Sequence, residues 1–476
     1  MELLPFITNI TFVIALGWYL LTNLQWYDYR IKRVILHHHK RWWHVVYFII
    51  PFILYYTVDT YRIYIVSGYI TLLYFWHRRL DKKLVITWRV KRFLILLIFW
   101  ALILNYLFVS KEISTVYCLF LPLALAYLFS GGIEKFLFVY YKYKAKKRIA
   151  SIKNLTIICI TGSYGKTSMK NFVAQLLSQK YKVYATPRSV NTPGGIIQDI
   201  NQFLPSDTQI YICEAGARLE GDVFEIGQLL QPQIVVVGKV GPQHLEYFKT
   251  IECIKRTKLE LIHSDRLENA FIHTSVTDVS YEKVTFFGDN VLNTNATLEG
   301  TEFDLRINGK LHHFHTSVLG NFQTININAA ILIADKMGMN AYEIVQAVEN
   351  LRSVEHRLER IDAGGKVILD DGYNGNIDGV LEGIRLCSLH NGRKVIVTPG
   401  LVESTKELNS ELINVINNVF DIAIITGQLN TIQFKKELTV PEKILLTDKS
   451  KIVVKLGEVT REGDIIFFAN DTPNFI

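Results

Sequence analysis

Long apolar runs crowd the first third of the chain and vanish after it. Near residues 4–24, 43–58, 61–76, 93–109 and 115–129, apolar positions follow one another without the polar stripe of a surface helix, which predicts helices in an apolar solvent. The first and fourth runs are long enough to cross a hydrocarbon core of roughly 30 Å. The second and third are short and read as a tilted hairpin broken at Asp59. Five crossings are expected, with three as the fallback. Past residue 150 the texture changes. Short β-branched runs at 156–161, 210–214, 234–237, 394–398, 422–425 and 464–468 alternate with helical periods, as in mostly parallel sheets covered by helices. Turn residues and strand-like alternation over 278–317 predict a small β insertion, and a helix over 338–356 leads to a boundary near Ile361. The expected organisation is a transmembrane anchor at 1–132, a basic juxtamembrane linker at 133–150, a central α/β unit at 151–358 and a C-terminal Rossmann-like α/β unit at 359–476. No internal repeat or low-complexity tract interrupts it.

Charge fixes an orientation for these runs. The formal net charge of +8 is concentrated between and just after them, where the positive-inside rule and anionic head groups favour cations, so it speaks for a lipid bilayer rather than nucleic acid. Arg30, Lys32, Arg33, Lys40 and Arg41 follow the first run; Arg78, Arg79, Lys82, Lys83, Arg89, Lys91 and Arg92 follow the third. The connections around Asp59 and around Lys111 and Glu112 are short and lightly charged. Lys142, Lys144, Lys146, Lys147 and Arg148 then place the chain inside again. The expectation is a multi-pass protein of the inner (cytoplasmic) membrane, with its N-terminus outside and the body after residue 150 in the cytoplasm. Residues 1–22 lack the basic start and small-residue cleavage site of a signal peptide. His37-His38-His39 invites a metal reading, but a basic juxtamembrane loop is simpler. The five cysteines lie singly, which excludes a zinc or disulfide framework and fits a reducing compartment.

The sharpest chemical signal is Thr161-Gly162-Ser163-Tyr164-Gly165-Lys166-Thr167-Ser168, between a strand at 157–160 and a helical run from Met169. Glycines let the backbone fold so that successive N–H groups and a helix start point at phosphate oxygens. Lys166 then neutralises the terminal phosphates and the Thr167 hydroxyl ligates magnesium. Ile160 stands where the general phosphate-loop pattern has glycine.

That variant resembles the loop of the bacterial Mur ligases, and six further segments agree with the family in order. Asn191-Thr192-Pro193-Gly194-Gly195 is similar to N-T-P-x-G, and Glu214-Ala215-Gly216-Ala217 to E-x-G-A. Val240-Gly241-Pro242-Gln243-His244-Leu245-Glu246 resembles V-G-x-x-H-L-E, and Thr257-Lys258-Leu259-Glu260 resembles A-K-x-E. His356-Arg357-Leu358 is similar to G-R-L, and Asp370-Asp371-Gly372-Tyr373-Asn374-Gly375-Asn376 to D-D-S-Y-N-A-N. Taken singly, Glu214 is equally a solvated strand end, His244 a packed or surface histidine, Lys258 a solvated helix face and Asp370-Asp371 a turn; their joint order decides. The resemblance covers about 151–476 and points to the branch that adds D-alanyl-D-alanine to a muramoyl tripeptide. It implies an ATP-dependent amide ligase of peptidoglycan synthesis that activates a carboxylate as an acyl phosphate. Gly162, Ser163, Gly165, Lys166, Thr167, Ser168, Asn326, Asp371, Tyr373 and Asn374 would hold the nucleotide. Thr167, Glu214, His244 and a carbamylated Lys258 would hold magnesium, with Lys166, Lys258, His244 and Arg357 serving catalysis.

Departures from the family bear on the substrate more than on the chemistry. Apolar helices stand where the family has a soluble domain that grips the uridine diphosphate, so a lipid-linked or other cell-envelope acceptor is the alternative to the soluble precursor. Phe322-Gln323 replaces His-Asn, Gly372 replaces serine, Gly375 replaces alanine and Arg218 replaces asparagine. Asn470-Asp471-Thr472-Pro473 resembles the ending of membrane-associated relatives. A transporter or signalling ATPase is the reading from another class, and the absence of a buried charge series in the apolar third argues against it. Oligomeric state is not legible.

Overall fold

The computed structural model describes residues 3–470 apart from 28, 37, 39, 81–82, 110–114, 242–244, 278–281, 374–376, 402–403, 428 and 447. The chain forms two compact units, 1–141 and 142–476.

The first unit is helical. Among the described residues three helices are long and apolar enough to cross a membrane, at Leu4–Trp26, Trp88–Phe108 and Tyr117–Ser151. The second expected run is broken into Trp42–His44, a π-helical turn Val45–Ile49 and Ile50–Thr57, and the third is the 17-residue helix Arg62–Arg78. The stretch 133–150, expected as a linker, continues the 37-residue helix Thr115–Ser151, because nothing in it breaks helical hydrogen bonding. Several of the polar groups that enter this apolar core pair with one another, as an apolar interior favours. Asn9 Nδ2 donates to Asn105 Oδ1 at 3.0 Å, and Tyr19 meets His44 Nδ1 at 2.9 Å. His38, expected in an exposed basic loop, is instead buried, 2.9 Å from Asn23 Oδ1 through Nε2. Its Nδ1 accepts the Lys40 N–H at 3.0 Å, which makes it a neutral structural histidine.

The second unit carries two main sheets. In the first, β1 (Thr156–Thr161), β2 (Val183–Ala185), β3 (Ile210–Glu214), β4 (Ile234–Val237), β5 (Asn269–His273) and β6 (Val284–Phe287) lie in the order β2-β3-β1-β4-β5-β6, all parallel. Helices on its faces explain the continuous apolar runs of β1, β3 and β4, every one of whose side chains is buried or nearly so. The expected insertion is an antiparallel sheet of β7 (Leu292–Ala296), β8 (Thr301–Ile307) and β9 (Lys310–Thr316). Phe303, Leu305 and Phe314 of this sheet pack with Phe172 and Ile331 into one core, which locks the helices Lys166–Leu177 and Asn321–Lys336 together.

The other main sheet holds β10 (Glu359–Ala363), β11 (Lys366–Asp371), β12 (Lys394–Thr398), β13 (Ile422–Thr426), β14 (Glu442–Leu446) and β15 (Ile465–Ala469). Their order is β10-β11-β15-β12-β13-β14, with only β10 antiparallel. Ligand sites in such open sheets lie at the carboxyl ends of the strands. Those ends are where β1, β3 and β11 deliver Thr161, Glu214 and Asp371.

Candidate active site

Residues 162–165 turn the chain from β1 into the helix Lys166–Leu177. Gly165 precedes that helix at φ +74°, and a Cβ on it would stand 2.4 Å from Asn326 Oδ1. Only glycine allows both the left-handed backbone and the close approach. Asn326 is held in turn by Gln323, whose Oε1 accepts from its Nδ2 at 2.8 Å. The loop is tied to the turn after β4, since Ser163 N–H donates to the Lys239 carbonyl at 3.0 Å and Ser163 Oγ to the Gly241 carbonyl at 3.2 Å. Lys166 Nζ folds over the loop and donates to the Gly162 and Ser163 carbonyls at 2.8 and 3.0 Å. A glycine-turned loop at the start of a helix is an anion site.

Beside it, Glu214 ends β3 with no solvent exposure. Its Oε1 is 3.0 Å from Lys170 Nζ, yet neither carboxylate oxygen accepts an aligned hydrogen bond. The ion pair neutralises charge, but an ammonium off the lone-pair direction leaves both oxygens under-satisfied. A divalent cation bound by Glu214 would complete it, so the residues present fit magnesium. Among the described residues no three His, Cys, Asp or Glu side chains converge.

Helix Ile251–Leu259 starts at Thr250, whose hydroxyl accepts from Cys253 N–H at 3.1 Å, and it delivers Lys258 into the interior. Burial pushes the Lys258 amine down to about 7; the Lys166 charge lowers it further, while Asp222 and Glu260 oppose. Burial likewise takes Lys166 down to about 8, with Glu214 opposing and Arg357 adding to the fall. Two buried amines that repel each other mark a pocket short of negative charge, which a polyphosphate would supply.

The C-terminal sheet contributes from the other side. Arg357 Nη1 donates to the Tyr373 carbonyl, and its guanidinium carbon lies 5.0 Å from the Tyr373 ring centre. Asp371, buried at the end of β11, is pushed up to about 6 by burial; Arg357 pulls it down and Asp370 pushes it up. His356 and Leu358, flanking Arg357, adopt φ of +59° and +52°. The strain at His356 is held by a 2.6 Å contact from Nδ1 to Asp370 Oδ2.

The structure therefore brings the loop residues Gly162, Ser163, Gly165, Lys166, Thr167 and Ser168 together with Asn326, Glu214, Lys258, Arg357 and Asp371. Tyr373 is exposed and serves Arg357 through its carbonyl and ring. His244 and Asn374 lie outside the described residues. Glu214 and Lys258 are buried rather than on solvated faces. Lys170 was missed by sequence reasoning, its only signal being that it lies one turn beyond Lys166 on the same helix. Cys159 and Cys213, isolated in sequence, are register partners on β1 and β3 with sulfurs 3.4 Å apart, both buried free thiols.

Comparison with known proteins agrees with this geometry. Residues 160–334 match the Mur ligase middle domain. The UDP-N-acetylmuramoyl-tripeptide–D-alanyl-D-alanine ligase of Bacillus subtilis is 25% identical over 332 residues, which span 66% of this chain and 72% of that protein. The ligase of the same name from Escherichia coli is 26% identical over 264 residues, 52% of this chain and only 58% of that protein. Among solved structures, the MurF ligase of Thermotoga maritima in complex with ADP superposes with a TM-score of 0.60 at 25% identity, covering 70% of this chain and 80% of that one.

Proposed function

We propose that the catalytic body of this chain is a Mur ligase, an ATP-dependent ligase of peptidoglycan precursor synthesis that joins D-alanyl-D-alanine to a UDP-linked muramoyl tripeptide. The observation that carries it is the buried Glu214, with two under-satisfied oxygens, beside a phosphate loop and the two depressed lysines Lys166 and Lys258.

In this reading a substrate carboxylate oxygen attacks the γ-phosphorus of ATP and ADP leaves. The amine of D-alanyl-D-alanine then attacks the acyl carbon of the resulting acyl phosphate, sheds a proton, and inorganic phosphate departs. Two anions must meet, so neutralisation of charge is the main catalytic demand. The loop amides and Lys166 draw charge from the β- and γ-phosphates, and Arg357 adds a cation from the C-terminal side. Magnesium, held by Thr167, Glu214, His244 and a carbamate on Lys258, would supply the remaining charge neutralisation between γ-phosphate and carboxylate. Asn326 and Asp371 orient the nucleoside, and the C-terminal sheet keeps water from the acyl phosphate. The apolar helices support a multi-pass anchor in the cytoplasmic membrane with the catalytic body on the ATP side.

The test is product mass. Detergent-solubilised protein given ATP, UDP-muramoyl tripeptide and D-alanyl-D-alanine should yield the pentapeptide product. Lys166→Ala should lower turnover by about 100-fold or more. Undiminished product from that variant removes the phosphate-loop assignment. The apolar helices also favour a second reading, in which the acceptor is lipid-linked; product formed only from a lipid-linked muramoyl peptide selects it.

A further inference from the structure

Lys170 is the most buried cation near the site, and the chemistry above gives it no task. Its side chain is 1% exposed; its ammonium donates to the Thr186 carbonyl at 2.6 Å and to the Arg188 carbonyl, and it stands 3.0 Å from Glu214 Oε1 as an ion pair. Two hydrogen bonds to backbone and one ion pair thus hold the ammonium.

Each acceptor belongs to a different working part. Lys170 itself stands on the phosphate-loop helix. Glu214 is the under-satisfied carboxylate. Thr186 and Arg188 begin the segment that runs to Asn191 and Thr192, and this segment docks back on β3 because Gly216 N–H donates to the Asn191 carbonyl at 2.8 Å. Thr192 then caps the helix Pro193–Gln202, accepting from Gly195 N–H at 3.3 Å.

Stability alone does not explain a lysine here. Burying an ammonium and a carboxylate carries a heavy desolvation cost, and a well-packed apolar pair is often as stable. Fully buried lysines are rare unless paired for a purpose. We propose that Lys170 is a positioning residue: it holds Glu214 and the 186–192 loop in one constellation, so that the cation site and that loop are set together. This rests on the ligase reading of the same site.

A double-mutant cycle on the full-length, detergent-solubilised chain tests it. Manganese affinity is measured by titration in the presence of a non-hydrolysable ATP analogue for the parent, Lys170→Met, Glu214→Gln and the double variant. If Lys170 acts through Glu214, Lys170→Met weakens manganese binding by about 10-fold or more, the usual size of a lost supporting contact. The double variant is then no weaker than Glu214→Gln alone, within about threefold. Lys170→Gln, which keeps amide donors for the two carbonyls, is the second variant should methionine prevent folding, and it is judged by the same criteria. Losses that add in the double variant overturn the proposal, because Lys170 would then support the fold without acting on Glu214. Unchanged or tighter manganese binding also overturns it, by making Lys170 a competing counter-charge. A parent chain that binds no manganese nucleotide removes the ligase reading together with this inference; a parent that binds it without coupling removes the inference alone.

Discussion

Asp371, proposed above to orient the nucleoside, is buried at a cost in stability. Its carboxyl is raised to about 6 from 3.8, chiefly by burial. Between those values the folded chain holds a proton that the unfolded chain has released, so stability falls as pH rises through that window and the whole penalty is present at pH 8. Asp371→Asn removes the charge at nearly constant volume. At pH 8, without nucleotide, the variant should unfold at least about 2 °C above the parent, and the gap should close as pH falls from 6 towards 4. Thermal unfolding across pH reads this, and a gap independent of pH sinks the burial account. Nucleotide affinity should fall in the same variant. Much of this chemistry is legible as residue types in order: glycines and a lysine for phosphate, a carboxylate ending a strand, paired aspartates before a tyrosine. What one-dimensional reading misses is burial. Lys170 and Lys258 sit among other charges along the chain and look solvated, and only the fold turns them inward. His356 is harder still, because a left-handed non-glycine is tolerable only with Asp370 to hold it, and that partner lies on another element.

Between elements, the helix Ile377–Ser388 ties the C-terminal sheet to the central one at two points of unequal strength. Lys239 Nζ reaches Asp378 Oδ2 at 2.8 Å while its own carbonyl braces the phosphate loop, but both side chains are about half exposed. Glu382, with only 12% of its side chain exposed, accepts the Asn321 N–H at 2.7 Å at the start of the helix Asn321–Lys336 and pairs with Arg385 at 2.8 Å. Screened pairs are worth roughly 0–1 kcal/mol, whereas a carboxylate on a helix start is worth about 1 kcal/mol or more. Asp378→Ala should therefore weaken ATP binding only a few-fold at low salt, and not at all near 0.5 M salt, where the screening length is only a few ångströms. Glu382→Ala should lower stability by about 1–2 kcal/mol at either salt. Calorimetric titration and denaturant unfolding separate the two, and a salt-independent loss in Asp378→Ala contradicts the ranking. The alternation of strands and helices was readable because every central strand is apolar on both faces. The order β2-β3-β1-β4-β5-β6 was not, because pairing depends on how crossovers pack rather than on any one run.

At the scale of the whole molecule, the number of crossings is decided by depth rather than by helix length. By length and composition three helices qualify, and the pair 42–57 and 62–78 falls short. Yet Tyr55, near the tip of that pair, bonds to Asn9 and stacks on Phe12 with ring centres 4.2 Å apart. Asn9 in turn donates to Asn105 at 3.0 Å. Asn9 lies close to the beginning of the helix Leu3–Trp26 and Asn105 close to the end of Trp88–Val109. At its other end the pair meets the first helix where Tyr19 contacts His44 and Trp76, next to the basic residues on both sides. The hairpin thus runs alongside the long helices over most of their length, with the turn at 58–61 level with the beginning of the first and the end of Trp88–Val109. On the membrane reading proposed above, a cysteine placed at Thr60 should react with a membrane-impermeant maleimide in intact cells, as should one at the N-terminus. One at exposed Lys153 should react only after permeabilisation. The parent chain supplies the background, since of its cysteines only Cys253 is not buried and it lies in the catalytic unit. Protection of the Thr60 position in intact cells, with labelling after permeabilisation, would leave three crossings and a hairpin that enters and leaves from the cytoplasmic face.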